Sequence, residues 1–378
     1  MSTFKRNKII FLTGTRADFG KLKSLMLRMQ SDKHFEVFIF ITGMHLLSKY
    51  GSTWDEVRKA GLINMHKFIN QNENDSMDQI LAKTVAGLSD YVKEIVPDMI
   101  VIHGDRVETL AGAIVGAFNN IRVAHIEGGE VSGTIDEVIR HAVSKMSHLH
   151  FVANDDAKKR LIQLGEKKAK IHVIGSPDVD IMNSSNLPSL DEAKNYYGVK
   201  YDRYAILIFH PVTTEIQDIR NQVSVLVDSI LESQKNFVVL YPNNDLGTNY
   251  IIDEYRRFEG CERIAVYPSM RFEYFLTLMK YADFIIGNSS AGIREAPHFG
   301  VPTVNLGTRQ QNRVKAQTII NAPISRIGIN NAIDEATSID GNPISLFGQG
   351  NSATLFHQIL LQKETWNSGI QKHFVDFI

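Results

Sequence analysis

The chain has 378 residues, 43% of them hydrophobic and 22% charged, and a formal net charge of −1. That balance excludes a nucleic-acid footprint, and a single cysteine, Cys261, excludes an internal disulfide framework. No apolar run approaches a membrane span, and the one in MSTFKRNKIIFLTG is too short for a secretory segment, so a cytoplasmic protein of about two domains is expected.

Short aliphatic runs alternate with amphipathic ones from the start. KIIFLTG, EVFIFITG, MIVIHG, RVAHIEG, LHFVAN and IHVIG read as buried strands, and DFGKLKSLMLRMQ and IDEVIRHAVSKM as helices between them. After GSPDVDIMNSSNLPSLDEA the rhythm restarts with YAILIFH, FVVLYPN, RIAVY, DFIIGN and TVNLG. The turn-rich stretch around Pro177 and Pro188 is the predicted linker. Two closing helices are expected from SATLFHQILLQ and WNSGIQKHFVDF. The fold class is α/β, with two Rossmann-like domains of doubly wound parallel sheet facing a central cleft. The predicted boundaries are 1–177 for the first domain, 178–352 for the second and 353–378 for the closing helices, which are expected to pack back on the first.

In such sheets ligands bind beyond the carboxyl ends of the strands. The stretch VIHGDRVE turns abruptly polar after a buried run, and the reading is that His103, Asp105, Arg106 and Glu108 are all presented there. IRVAH runs similarly into IEGGE. Asp105 and Glu127 therefore end neighbouring strands, and Asp136 falls in the first turn of the helix that follows. Carboxylates crowded in this way can have their protonation split, one serving as base and another as acid. For Asp136 an ordinary ion pair with Arg140, one turn on, is an equally good reading.

The second constellation is IIGNSSAGIREAPHFGVP. A strand ends at Gly287-Asn288, and Ser289, Ser290 and Gly292 open a helix whose N–H groups suit a phosphate. Glu295, one turn in, suits ribose hydroxyls; a plain serine cap is the competing reading. Arg16, Arg106, His210 and Arg309 follow four other strands; singly each reads better as a surface charge, but the four together suit a ligand with two phosphates. No GxGxxG follows the first strand, no Walker lysine motif occurs, GNSS is no nucleophile elbow, and no Cys/His spacing fits zinc.

Together TGTRADFGKL, HGDR, HIEGGE, FHPVTTE, GNSSAGIRE and NLGTRQ resemble the hydrolysing UDP-N-acetylglucosamine 2-epimerases of bacterial sialic acid synthesis. The likeness covers nearly the whole chain in motif order. It implies a glycosyltransferase-B-like fold with the nucleotide sugar between the two domains, and a homodimer or homotetramer. It also implies that UDP-N-acetylglucosamine and water become UDP and N-acetylmannosamine, with no metal or other cofactor. By resemblance, Asp105, Glu127 and Asp136 are the acid/base carboxylates, which favours the catalytic reading of Asp136. Ser289 and Ser290 would meet the diphosphate and Glu295 the ribose. His210, Asn243 and Arg309 would complete that site, with Met270 near the base through its backbone. Arg16 and Arg106 would reach in from the first domain. A sister group that epimerises without releasing nucleotide reads HGDT and HVEAGLR where this chain has HGDR and HIEGGE, which favours the hydrolysing branch. The alternatives are a hydrolysing epimerase acting on a UDP-linked 2,4-diacetamido-trideoxy sugar or GDP-linked N-acetylglucosamine, as in legionaminic acid synthesis, and a glycosyltransferase of the same fold.

Overall fold

In a computed structural model, residues 6–72, 75–132, 135–310, 313–367 and 369–376 are described. The chain forms two compact units. The first comprises residues 1–130, 136–183 and 347–378, and the second 131–135 and 184–346.

The first unit runs β1 (Asn7–Thr13), α1 (Arg16–Gln30), β2 (Phe35–Ile41), α2 (Trp54–Lys59), β3 (Met65–Lys67), α3 (Met77–Ile95), β4 (Met99–His103), α4 (Val107–Phe118), β5 (Arg122–Ile126), α5 (Ile135–Met146), β6 (Leu149–Val152), α6 (Asp155–Gln163), β7 (Ile171–Val173) and α7 (Pro177–Met182). Its strands pair in the order β3-β2-β1-β4-β5-β6-β7, and every pairing is parallel. Parallel sheets are covered on both faces, which is why these strands read as unbroken aliphatic runs. Ile9, Phe11, Met99, Val101, Ala124 and Phe151 face one layer of core, and Ile10, Leu12, Ile100, Ile102 and Val123 the other.

The second unit runs α8 (Leu190–Tyr197), β8 (Ala205–Ile208), α9 (Ile219–Glu232), β9 (Phe237–Leu240), α10 (Thr248–Tyr255), β10 (Ile264–Tyr267), α11 (Phe272–Lys280), β11 (Ile285–Gly287), α12 (Ala291–Phe299), β12 (Thr303–Leu306), β13 (Ile319–Ala322) and α13 (Arg326–Ser338). Its sheet order is β10-β9-β8-β11-β12-β13, again parallel throughout. The chain then returns to the first unit as α14 (Ser352–Leu361) and α15 (Lys363–Asn367). Phe356 of α14 enters the first unit's core, its ring 4.7 Å from that of Phe151.

Sequence periodicity places the strands well but differs from the structure at the ends. The edge strands β3 and β13 are additional, and of the second closing helix expected over 366–377 only Trp366 and Asn367 are helical among the described residues. Residues 369–376 carry no helix. Gly369 ends the apolar pattern, and the tail is instead held by polar contacts. His148 Nε2 lies 2.9 Å from the carbonyl of Ile370, and Lys372 Nζ reaches Glu166 at 2.6 Å and the carbonyl of Ser147 at 2.5 Å. Among the described residues no helix is long and apolar enough to cross a membrane.

Candidate active site

In the first unit, β4 and β5 are hydrogen-bonded neighbours, with His103 opposite Ile126. Asp105 and Glu127 therefore leave the sheet side by side at its carboxyl edge. Glu127 is buried and takes a left-handed backbone, φ +63°, a conformation that persists only where surrounding contacts impose it. Those contacts are present. Arg140 Nη1 donates to the Glu127 carbonyl at 2.7 Å, and His103 Nε2 lies 3.0 Å from Glu127 Oε2. The Ser176 hydroxyl donates to Glu127 Oε1. Lys21 Nζ stands 3.9 Å from Glu127 Oε2 and 3.1 Å from Asp178 Oδ2. Gly129, at φ +76°, lets the chain pass α6: a Cβ there would lie 2.3 Å from the Ala157 carbonyl oxygen.

Arg140 is the common partner of this edge, because its Nη2 donates to the Asp105 carboxylate. Asp136 is half-buried one turn earlier on α5. An i, i+4 spacing places the two on one face of that helix. The guanidinium thus reaches Asp105 and the Glu127 carbonyl, contacts that the reading of Asp136–Arg140 as a helix pair did not foresee.

Arg16 opens α1 behind a capping box in which Thr15 Oγ1 accepts from the Asp18 N–H, and Asp18 accepts from the N–H groups of Gly14 and Thr15. Burial raises the Asp18 carboxyl above its usual range. Arg16 Nη2 meets Glu56 at 2.6 Å. Beneath this turn, burial, with the Arg16 charge nearby, pushes the His45 imidazole down to about 3. His125, buried between the Gly104 carbonyl and Ser144 Oγ, is pushed down by burial to about 3.

Arg106 is half-buried, with Nε 3.5 Å from Glu108 Oε2. Glu108 departs from expectation: it is 1% exposed rather than presented at the edge. It lies on the sheet-facing side of the first turn of α4, where two residues without a side chain make room. A Cβ at Gly43 would fall 2.7 Å from Glu108 Oε1, and one at Gly14 would fall 3.1 Å from its Cδ.

In the second unit the expected residues follow β8, β9, β10, β11 and β12 at the carboxyl edge. His210 and Asn288 exchange two bonds, from His210 N–H to Asn288 Oδ1 at 2.6 Å and from Asn288 Nδ2 to the His210 carbonyl at 2.8 Å. The Asn243 N–H donates to His210 Nδ1 at 3.0 Å. Because a backbone N–H can only donate, Nδ1 is unprotonated and Nε2 carries the proton of the neutral ring, which makes it a donor. Gly287, at φ +133°, allows β11 to approach β8, since a Cβ there would lie 1.9 Å from the Ile208 carbonyl oxygen.

Ser290 is the N-cap of α12, yet its side chain makes no capping bond. Ser289 Oγ accepts from the Ala291 N–H at 3.3 Å. Gly292 faces β12, where a Cβ would lie 2.6 Å from Thr303 Cγ2, so its smallness serves the packing of helix on strand. Glu295 is buried one turn into α12. Arg309 Nη1 lies 3.4 Å from the Asn288 carbonyl, which also accepts from buried Gln310 at 3.0 Å. Met270 is buried in the loop between β10 and α11. Among the described residues no group of three or more His, Cys, Asp or Glu could hold a metal ion.

Sequence reading placed His103 at this edge without a role and did not assign Lys21, Arg140, Ser176 or Asp178 to the site, although all five crowd the Asp105–Glu127 edge. His103 carried a signal in the HGD turn, and Ser176 a weaker one in the Gly-Ser-Pro that closes a strand.

Residues 27–361 match the family described as UDP-N-acetylglucosamine 2-epimerase. A UDP-N-acetylglucosamine 2-epimerase of Neisseria meningitidis is 46% identical over 98% of this chain and 99% of its own. A UDP-N,N'-diacetylbacillosamine 2-epimerase (hydrolyzing) of Legionella pneumophila is 32% identical over 93% and 95%. The polysialic acid biosynthesis protein P7 of Escherichia coli is 32% identical over 87% and 86%. Among solved structures, the Methanocaldococcus jannaschii UDP-GlcNAc 2-epimerase in complex with UDP-GlcNAc and UDP superposes with a TM-score of 0.81 at 22% identity, over 94% of this chain and 99% of that one. The fold is thus glycosyltransferase-B-like, with two Rossmann-like units, and the chain belongs to the UDP-N-acetylglucosamine 2-epimerase family.

Proposed function

We propose that the chain is a hydrolysing UDP-N-acetylglucosamine 2-epimerase that releases UDP and N-acetylmannosamine for sialic acid synthesis. The observation that carries this reading is the pair of carboxylates, Asp105 and Glu127, on adjoining strand ends and linked through Arg140. A base removes the C2 proton as the C1–O bond to UDP breaks, which gives a glycal. Water then adds its oxygen to C1, and C2 is reprotonated from the opposite face. Two faces need at least two positioned acid/base groups; Asp105, Glu127 and Asp136 are assigned to that work.

The second unit is assigned the nucleotide. Ser289, Ser290 and the start of α12 suit the diphosphate, together with the Nε2–H of His210 and the charge of Arg309. Glu295 is assigned to the ribose, and Asn243, Gly292 and Met270 to the walls of this site. Arg16 and Arg106 are assigned to the leaving-group charge. HGDR and HIEGGE favour hydrolysis over reversible epimerisation, and the relative named for hydrolysis and the one named for polysialic acid biosynthesis support the same branch. The Legionella relative's name makes a UDP-linked diacetamido sugar the second substrate to try.

Turnover in ¹⁸O-water tests the bond that breaks. Elimination cleaves C1–O, so the released UDP stays unlabelled by mass spectrometry. Heavy oxygen in UDP would mean attack at phosphorus and would sink the elimination route.

A further inference from the structure

We propose that Ser176 is a positioning residue that orients and tunes the Glu127 carboxylate, and that the returning segment at Phe347–Gly348 fixes Ser176 in turn. This role rests on the assignment of Glu127 as an acid/base group. Ser176 is fully buried in the turn between β7 and α7, and its hydroxyl donates to Glu127 Oε1. His103 takes the other oxygen at 3.0 Å. The carboxylate is therefore gripped at both oxygens, which sets its plane.

The turn that carries Ser176 is itself clasped. The Ser176 N–H donates to the Phe347 carbonyl at 2.6 Å. Gly175 and Gly348 pass so closely that a Cβ on Gly348 would lie 2.7 Å from the Gly175 Cα. One turn on, both oxygens of Asp180 accept from the first N–H groups of α14, those of Ser352 and Ala353, each at 2.8 Å. Asn183 Nδ2 adds a 3.3 Å bond to the Gln349 carbonyl. Two stretches more than 150 residues apart in sequence are thus tied together directly behind the hydroxyl that meets Glu127.

A donor to a carboxylate favours its ionised form, so loss of the Ser176 hydroxyl raises the pH at which Glu127 loses its charge. The titratable and charged groups around Glu127 are Lys21 from α1, His103 from β4 and Arg140 from α5, with Asp178 of α7 beyond Lys21 and Asp105 beyond Arg140.

The test compares wild type, Ser176→Ala and Ser176→Cys, with UDP affinity measured by calorimetry alongside turnover of UDP-N-acetylglucosamine. With Glu127 serving as the ionised base, Ser176→Ala should lower kcat at least ~10-fold, move KM by less than about threefold, and shift the acid limb of the kcat/KM profile upward by roughly one pH unit. Ser176→Cys, a weaker donor of similar shape, should fall between the two. A normal rate, or a lower rate with an unmoved acid limb and no order among Ser, Cys and Ala, overturns the role. A wild type that binds UDP but turns over no nucleotide sugar overturns the functional reading itself, and this role with it.

Discussion

Arg140 and Asp105 form a largely buried pair across the mouth of the first sheet, from the Arg140 guanidinium on α5 to the carboxylate that follows β4. The same guanidinium supports the strained Glu127 backbone through its carbonyl. Removal of Arg140 takes away this buried charge and the donor to the Glu127 carbonyl together. Arg140→Ala is therefore expected to cost about 3–5 kcal/mol of stability, read by urea denaturation. A loss below about 1 kcal/mol, the worth of an exposed pair, would show that Arg140 holds neither group.

The carboxylates should separate chemistry from binding. Asp105→Asn and Glu127→Gln are each expected to lose at least ~100-fold in turnover, the usual contribution of a general acid or base. UDP affinity should survive in both. A rate near wild type in either variant would remove that residue from the mechanism.

Ser290 offers a clean distinction between cap and ligand contact. Its side chain makes no capping bond, so Ser290→Ala should leave the denaturation midpoint almost unchanged. UDP binding should weaken by roughly 1.5–3 kcal/mol, the range for hydrogen bonds to charged groups. The opposite pattern, unchanged UDP affinity with about 1 kcal/mol of lost stability, would mark Ser290 as a cap alone.

His125 should give stability a defined pH dependence. Burial pushes its imidazole down to about 3, so the native chain binds fewer protons there than the unfolded chain. The stability it confers is complete above about pH 6.5 and is lost progressively as pH falls toward 3. Relative to wild type, His125→Gln should show an unfolding free energy that falls less steeply with acid, by about 1.4 kcal/mol per pH unit between pH 6 and 4. Parallel curves for the two proteins would mean that His125 is not held neutral by the fold.

Much of this arrangement is legible in sequence because strand ends announce themselves. An aliphatic run that stops at His-Gly-Asp or at Gly-Asn-Ser marks a carboxyl edge, and neighbouring strands bring Asp105 beside Glu127. The pairings formed by the tertiary fold were not legible. Lys21 and Ser176 reach Glu127 from α1 and from the turn after β7, distant in sequence and without periodicity to signal them. Glu108 misleads because its burial depends on Gly14 and Gly43, which lie on two other loops. The edge strands β3 and β13 are only partly buried along most of their length, so they carry little of the buried aliphatic run that marks the other strands.

Proton NMR of the protein with UDP-N-acetylglucosamine in heavy water separates hydrolysis from reversible epimerisation in one sample. Elimination followed by hydration gives free UDP together with N-acetylmannosamine that carries deuterium at C2. A mixture of UDP-linked epimers with no free UDP would contradict it, and would place the chain with the enzymes that epimerise and keep the nucleotide.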